Sequence, residues 1–247
     1  MREHQTLPRT VFLFGNPELD AIALQVVWER DPKLKLATQA KWPELAGLKL
    51  YDHDRAVAAL KRAYFRLDPQ FNEARSRFVG WWRQVEQPWL EFLGELFPVW
   101  FPSAIVFSAN IGIAPICPRD LVKFGFLIPW QADQNSLCRI CAHEISHFFF
   151  YGAVARARPK VPPADLYESR HWWLLSEILV PLVFGDERSV RILGPMPQST
   201  YACSDQLVES YRPLYTRFAS GQISLADFLD QLERLPLPAG ELDAHFL

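Results

Sequence analysis

Residues 143–147 read His-Glu-Ile-Ser-His, an H-E-x-x-H pattern in a run without proline or glycine. The pattern constrains the fold because it has meaning only on a helix. Residues four apart share a helix face, so His143 and His147 would stand side by side on adjacent turns. Each residue advances about 100°, which leaves the two imidazoles about 40° apart and Glu144 about 100° from His143. Two imidazoles so placed can bind one metal ion, and Glu144 can take a proton from a water on that ion.

The surrounding sequence suits such a helix. Asp133 to Ser136 offers several caps, and the helix is expected to run to Tyr151-Gly152. Before it, Ala104 to Ile113 alternates with strand periodicity, as do Phe124, Phe126, Ile128 and Trp130. Pro115, Pro118 and Asp120 mark the turn between them. Further upstream, a short strand is expected over 10–15 and a helix over Pro17 to Arg30. Lys33 to Leu50 reads as mixed. Helical periodicity then covers Asp54 to Arg66 and about Asp68 to Leu96, with a break near Pro88. Downstream, Asp165 is expected to cap a helix that carries Trp172 to Leu179 and stops or kinks near Pro181. Two more helices are expected at Asp205 to Phe218 and Ser224 to Leu235.

A catalytic zinc usually takes three protein ligands, so a third donor is needed downstream. Glu168 and Glu177 compete. Glu177 sits in Trp172-Trp173-Leu174-Leu175-Ser176-Glu177-Ile178-Leu179-Val180, where a carboxylate must be compensated. A metal ion supplies that compensation, and so would an arginine such as Arg139 or Arg170. Glu168 falls in the polar first turn of the expected helix, where the helix dipole already explains an acid. Glu177 is therefore preferred. His171 is about 240° from Glu177 around the wheel and suits an accessory role better than ligation. Cys138 and Cys141 project about 140° and 160° from His143, and read as inert buried thiols.

Composition bounds the rest. Of 247 residues, 49% are hydrophobic and 22% charged, enough for a sizeable core. The net charge of −2 provides no basic field for nucleic acid. Residues 97–118 carry no charge, but Pro98, Pro102, Pro115 and Pro118 argue against a membrane-spanning helix. The apolar run Val11-Phe12-Leu13-Phe14 is too short for a signal-peptide core, and four cysteines are too few for a disulfide framework. A soluble, cytoplasmic protein is expected. Its oligomeric state is open.

His143-Glu144-x-x-His147 on one helix and Ser176-Glu177 on the next resemble the gluzincins, the zincin metallopeptidases that include thermolysin. The resemblance covers about residues 104 to 185. It implies an α+β fold: a zincin-like core with a small sheet and the H-E-x-x-H helix over 99–247, preceded by a mostly helical part over 1–98. It further implies Zn2+ held by His143, His147 and Glu177, with Glu144 as general base in the hydrolysis of a peptide or protein substrate. An edge strand would bind that substrate in extended form, and either Ala104 to Ile113 or Phe124 to Trp130 would match it. Tyr201, Tyr211, Tyr215 and His171 are candidates for stabilising the oxyanion. The chain departs from the thermolysin-like pattern at Ser176 and Pro181, where that pattern has Asn and Asp. Asp186 would replace the missing Asp only if the chain bends back. The alternative is a catalytically inactive zinc-binding protein that works as an interaction or regulatory module.

Overall fold

A computed structural model describes residues 7–49, 52–99, 101–102, 104–195 and 205–235. In chain order its elements are β1 (Arg9–Phe14), α1 (Pro17–Arg30), α2 (Pro32–Lys41), a 3-10 turn at Pro43–Leu45 and α3 (His53–Trp82). Then come α4 (Glu86–Leu96), β2 (Val106–Gly112), β3 (Arg119–Asp120), β4 (Gly125–Pro129) and α5 (Gln134–Ala157). The last elements among the described residues are α6 (Pro163–Tyr167), α7 (Arg170–Phe184), α8 (Glu187–Leu193), α9 (Asp205–Ala219) and α10 (Leu225–Arg234). The fold is α+β, mostly helical with one small sheet. Among the described residues no helix is long and apolar enough to cross a membrane.

Contacts divide the chain into two compact units that interleave in sequence, with the cut inside α5 at Ala142. One unit draws on residues 9–84 and 105–141 and holds the sheet. Its strand order is β1-β2-β4-β3, with β1, β2 and β4 parallel and β3 antiparallel to β4. Strand β2 therefore has a neighbour on each side, Phe12 facing Ala109 and Ala109 facing Phe126. Of the two candidate edge strands, Ala104 to Ile113 is therefore interior, because residues 9–14 join the same sheet and cover it. The outer side of β4 is partly covered by β3, and the Leu127 amide donates to the Pro118 carbonyl at 3.1 Å.

Local chemistry explains the helices of this unit. Asn16 caps α1 by accepting the amides of Glu18 and Leu19, and Pro17 opens it with φ already set. Asp31 and Pro32 repeat the device, which turns the mixed stretch after residue 32 into α2. Helix α3 runs unbroken through Pro69, because that residue is solvent-exposed and water can serve the carbonyl its ring leaves without a donor. The expected break at Pro88 is displaced to Arg83–Val85. Pro88 is the third residue of α4, a position whose amide has no helical partner anyway.

One carboxylate ties this unit together. Asp20, fully buried in α1, accepts the amides of Ile113 at 2.8 Å and Ala114 at 3.0 Å, and the Tyr64 hydroxyl of α3 donates to it. A Cβ at Gly112 would lie 2.6 Å from the Asp20 Oδ1, so only glycine fits where the carboxylate meets the end of β2. Burial pushes the Asp20 carboxyl up to about 7, against the lowering effect of the two amide bonds.

The second unit takes its described residues from 7–8, 85–104 and 142–235. Helix α5 continues past Gly152 to Ala157. Gly152 is a packing residue here, since a Cβ would approach Val99 Cγ1 to 2.7 Å. Within this unit α9 packs on α7 and α10, and α8 packs on α4. Asp165 lies inside α6 rather than capping the next helix. Ser169 caps α7 by accepting the Trp172 amide at 3.3 Å. Helix α7 passes through Pro181 to Phe184, and α8 is an additional short helix capped by Asp186.

Candidate metal centre

Asp133 opens α5 by accepting the Ser136 amide at 2.7 Å. The motif then falls in the helix interior, and its neighbours hold it in place. Ile145, Phe148, Phe149 and Phe150 are all buried. Phe149 meets Phe101 edge-on at 5.0 Å, and Phe150 meets Phe97 at 6.4 Å and Trp172 at 6.0 Å. The three successive phenylalanines thus anchor the motif helix on several faces. Helix α7 is buried almost throughout, and Glu177 is 1% exposed within it.

The two helices bring His143, His147 and Glu177 together, with one ligand atom from each lying within 4.8 Å of the others. His147 Nε2 is 3.4 Å from Glu177 Oε1, and His143 Nε2 is 3.5 Å from Glu177 Oε2. Ligands about 2.0–2.1 Å from a tetrahedral zinc stand about 3.4 Å apart, so these spacings suit a single ion. Glu144 is buried beside them, its Oε1 3.9 Å from His143 Nε2. Two carboxylates confined with two imidazoles call for about two positive charges, and one divalent cation supplies them. The donor set of two imidazoles and a carboxylate also leaves room for a further ligand.

Among the described residues no other group of three or more His, Cys, Asp or Glu residues is gathered this closely. Glu168 is exposed at the end of α6 and stands outside the cluster, as does His171, whose ring lies against Trp172. The Ser176 hydroxyl turns back to the Trp173 carbonyl at 2.7 Å. Asp186 is engaged by the Arg188 guanidinium at 3.0 Å and the Tyr215 hydroxyl at 3.2 Å. Burial raises its carboxyl, but Arg188 and Tyr215 outweigh burial and leave it below the ordinary range. Burial, then Asp186, push the Tyr215 phenol up. Tyr211 is buried on α9, where burial alone takes its phenol to about 12, and its hydroxyl has no hydrogen-bond partner among the described residues. Tyr201 lies outside the described residues. Cys138 is buried, and burial pushes its thiol up, consistent with an inert side chain.

Sequence reasoning did not single out Phe184. Its ring meets His143 at 6.4 Å and 68°, while His143 meets His147 at 4.7 Å. The signal was its spacing: seven residues after Glu177 is two turns along the same face of α7. Set against known proteins, the chain matches no protein-family model, no curated protein and no solved structure.

Proposed function

We propose that this protein is a zinc-dependent metallopeptidase, a cytoplasmic hydrolase of gluzincin-like, zincin-type organisation acting on a peptide or protein substrate. The observation that carries the reading is the position of Glu144: a second buried carboxylate beside a donor set spaced for one ion. His143 and His147, both neutral, and ionised Glu177 would hold the ion. Zinc, when bound, lowers the pKa of a water toward neutrality and polarises a carbonyl. Glu144 accepts the proton at its carboxylate and returns it to the leaving amine. Burial of Glu144, His147 and Glu177 keeps bulk water from three of the four side chains and strengthens their electrostatic effect.

A second reading is a zinc-binding module without turnover. It draws support from Asp186, which is committed to Arg188 and Tyr215 instead of serving a ligand histidine. Elemental analysis of the purified chain, beside Glu177→Ala and Glu168→Ala, tests both readings. About one zinc per chain, lost in Glu177→Ala and kept in Glu168→Ala, supports the site. Hydrolysis that disappears in Glu144→Gln then separates peptidase from inactive module. Iron in place of zinc would move the chemistry to that of other two-histidine, one-carboxylate sites and overturn the peptidase reading. No metal after reconstitution would overturn both.

A further inference from the structure

We infer that Phe184 is a positioning residue for His143, a role that rests on the metal-site reading above. The four side chains of the cluster are not held equally. His147, Glu144 and Glu177 are enclosed, whereas the His143 side chain is 14% exposed and has the least protein around it. An imidazole ligates well only when its ring plane points a nitrogen at the ion, so a partly exposed ring needs a wall. Helix α7 supplies two. Glu177 approaches His143 Nε2 at 3.5 Å, and two turns later Phe184 meets the ring at a steep angle.

Phe184 is itself fixed from behind. Its ring meets Trp89 of α4 at 5.9 Å, Trp89 meets Phe92 at 5.3 Å, and the Arg188 guanidinium lies 4.7 Å over Phe92. Trp89, Phe92 and Phe184 are all buried, which leaves Phe184 little freedom to swing away. The chain from Arg188 through Phe92, Trp89 and Phe184 ends on His143. Aromatic pairs at so steep an angle are directional, so the Phe184 ring restricts rotation of the imidazole without competing for its nitrogens.

The test is metal affinity, measured by competition with a chromophoric chelator on the full chain, for wild type, Phe184→Leu and Phe184→Tyr. We expect Phe184→Leu to weaken zinc binding about 3- to 10-fold and Phe184→Tyr to restore it. The visible absorption of the cobalt-loaded protein should shift in Phe184→Leu and return in Phe184→Tyr, which keeps the ring. Unchanged affinity and spectrum in a folded Phe184→Leu, with wild type still binding one zinc, would overturn the positioning role and leave the metal site intact. A loss that Phe184→Tyr does not restore, with the cobalt spectrum unchanged in Phe184→Leu, would also overturn it, by showing that Phe184 acts on general stability. Absence of zinc from the wild type would instead remove the metal-site reading on which the inference rests.

Discussion

Asp20 of α1 and Glu177 of α7 are both almost completely buried, and the two are served by different partners. Asp20 faces two backbone amides and a phenol, all hydrogen donors that fix strand end to helix. Glu177 faces two imidazole nitrogens, groups that when neutral bring lone pairs as well as protons. The first arrangement is complete as it stands and does structural work. The second gathers lone pairs around a common point and suits a cation. Burial of an acid is therefore a poor guide to function until its partners are known.

The comparison can be broken most severely at Glu177. Glu177→Ala should lose bound zinc from about one equivalent to near none, and any hydrolysis with it, while the metal-free variant unfolds no earlier than metal-free wild type. A large loss of stability in the metal-free state would make Glu177 a structural acid like Asp20. Next in size, Glu144→Gln should keep its zinc and lower turnover by about 10²- to 10⁴-fold. Loss of metal in that variant would move Glu144 into the ligand set. Asp20→Ala should show the opposite pattern, with zinc content unchanged and stability reduced by about 3 kcal/mol in urea unfolding, because two amides lose their acceptor.

A pH series sharpens the same contrast. The Asp20 carboxyl stands at about 7 in the fold against 3.8 as its ordinary value, so between these pH values the folded chain holds a proton that the unfolded chain has released. Its contribution to stability is present below pH 4, falls as pH rises through the window by at most about 1.4 kcal/mol per unit, and is gone above 7. Urea midpoints of Asp20→Asn should lack this slope. A variant that keeps the wild-type slope would assign it to other groups. The smallest effect is expected at Cys138, where replacement by Ala should cost about 1 kcal/mol and leave zinc content untouched.

Local signals explain how much of this was legible from sequence. Helix α1 could be bounded from Pro17, and the motif helix from the run Asp133 to Ser136, because such signals act within the first turn. Glu177 was legible because an acid in an apolar run demands an explanation. The prolines misled. Pro88 and Pro181 both read as breaks, yet each lies within a helix, and whether a lost amide matters depends on its distance from the helix start and on its surroundings. The position of β2 was hidden for another reason. Its neighbour β1 comes from about a hundred residues earlier, and alternation in one segment says nothing about which strands will flank it. Asp20 escaped notice because a first-turn acid is ordinary, and its partners Tyr64, Ile113 and Ala114 are distant in sequence.

The interleaving of the two units has a consequence for synthesis. Every described segment of the sheet-bearing unit lies before residue 142, so that unit can close while the remainder is still being made. The other unit cannot. Its residues 85–104 emerge early and must wait for partners that begin at Ala142 and extend into α10. Long-range contacts of this kind slow folding and leave apolar side chains such as Trp89 and Phe92 exposed in the interval. His143, His147 and Glu177 are also among the late arrivals. The sheet-bearing unit around Asp20 can thus form before any of the three has been synthesised.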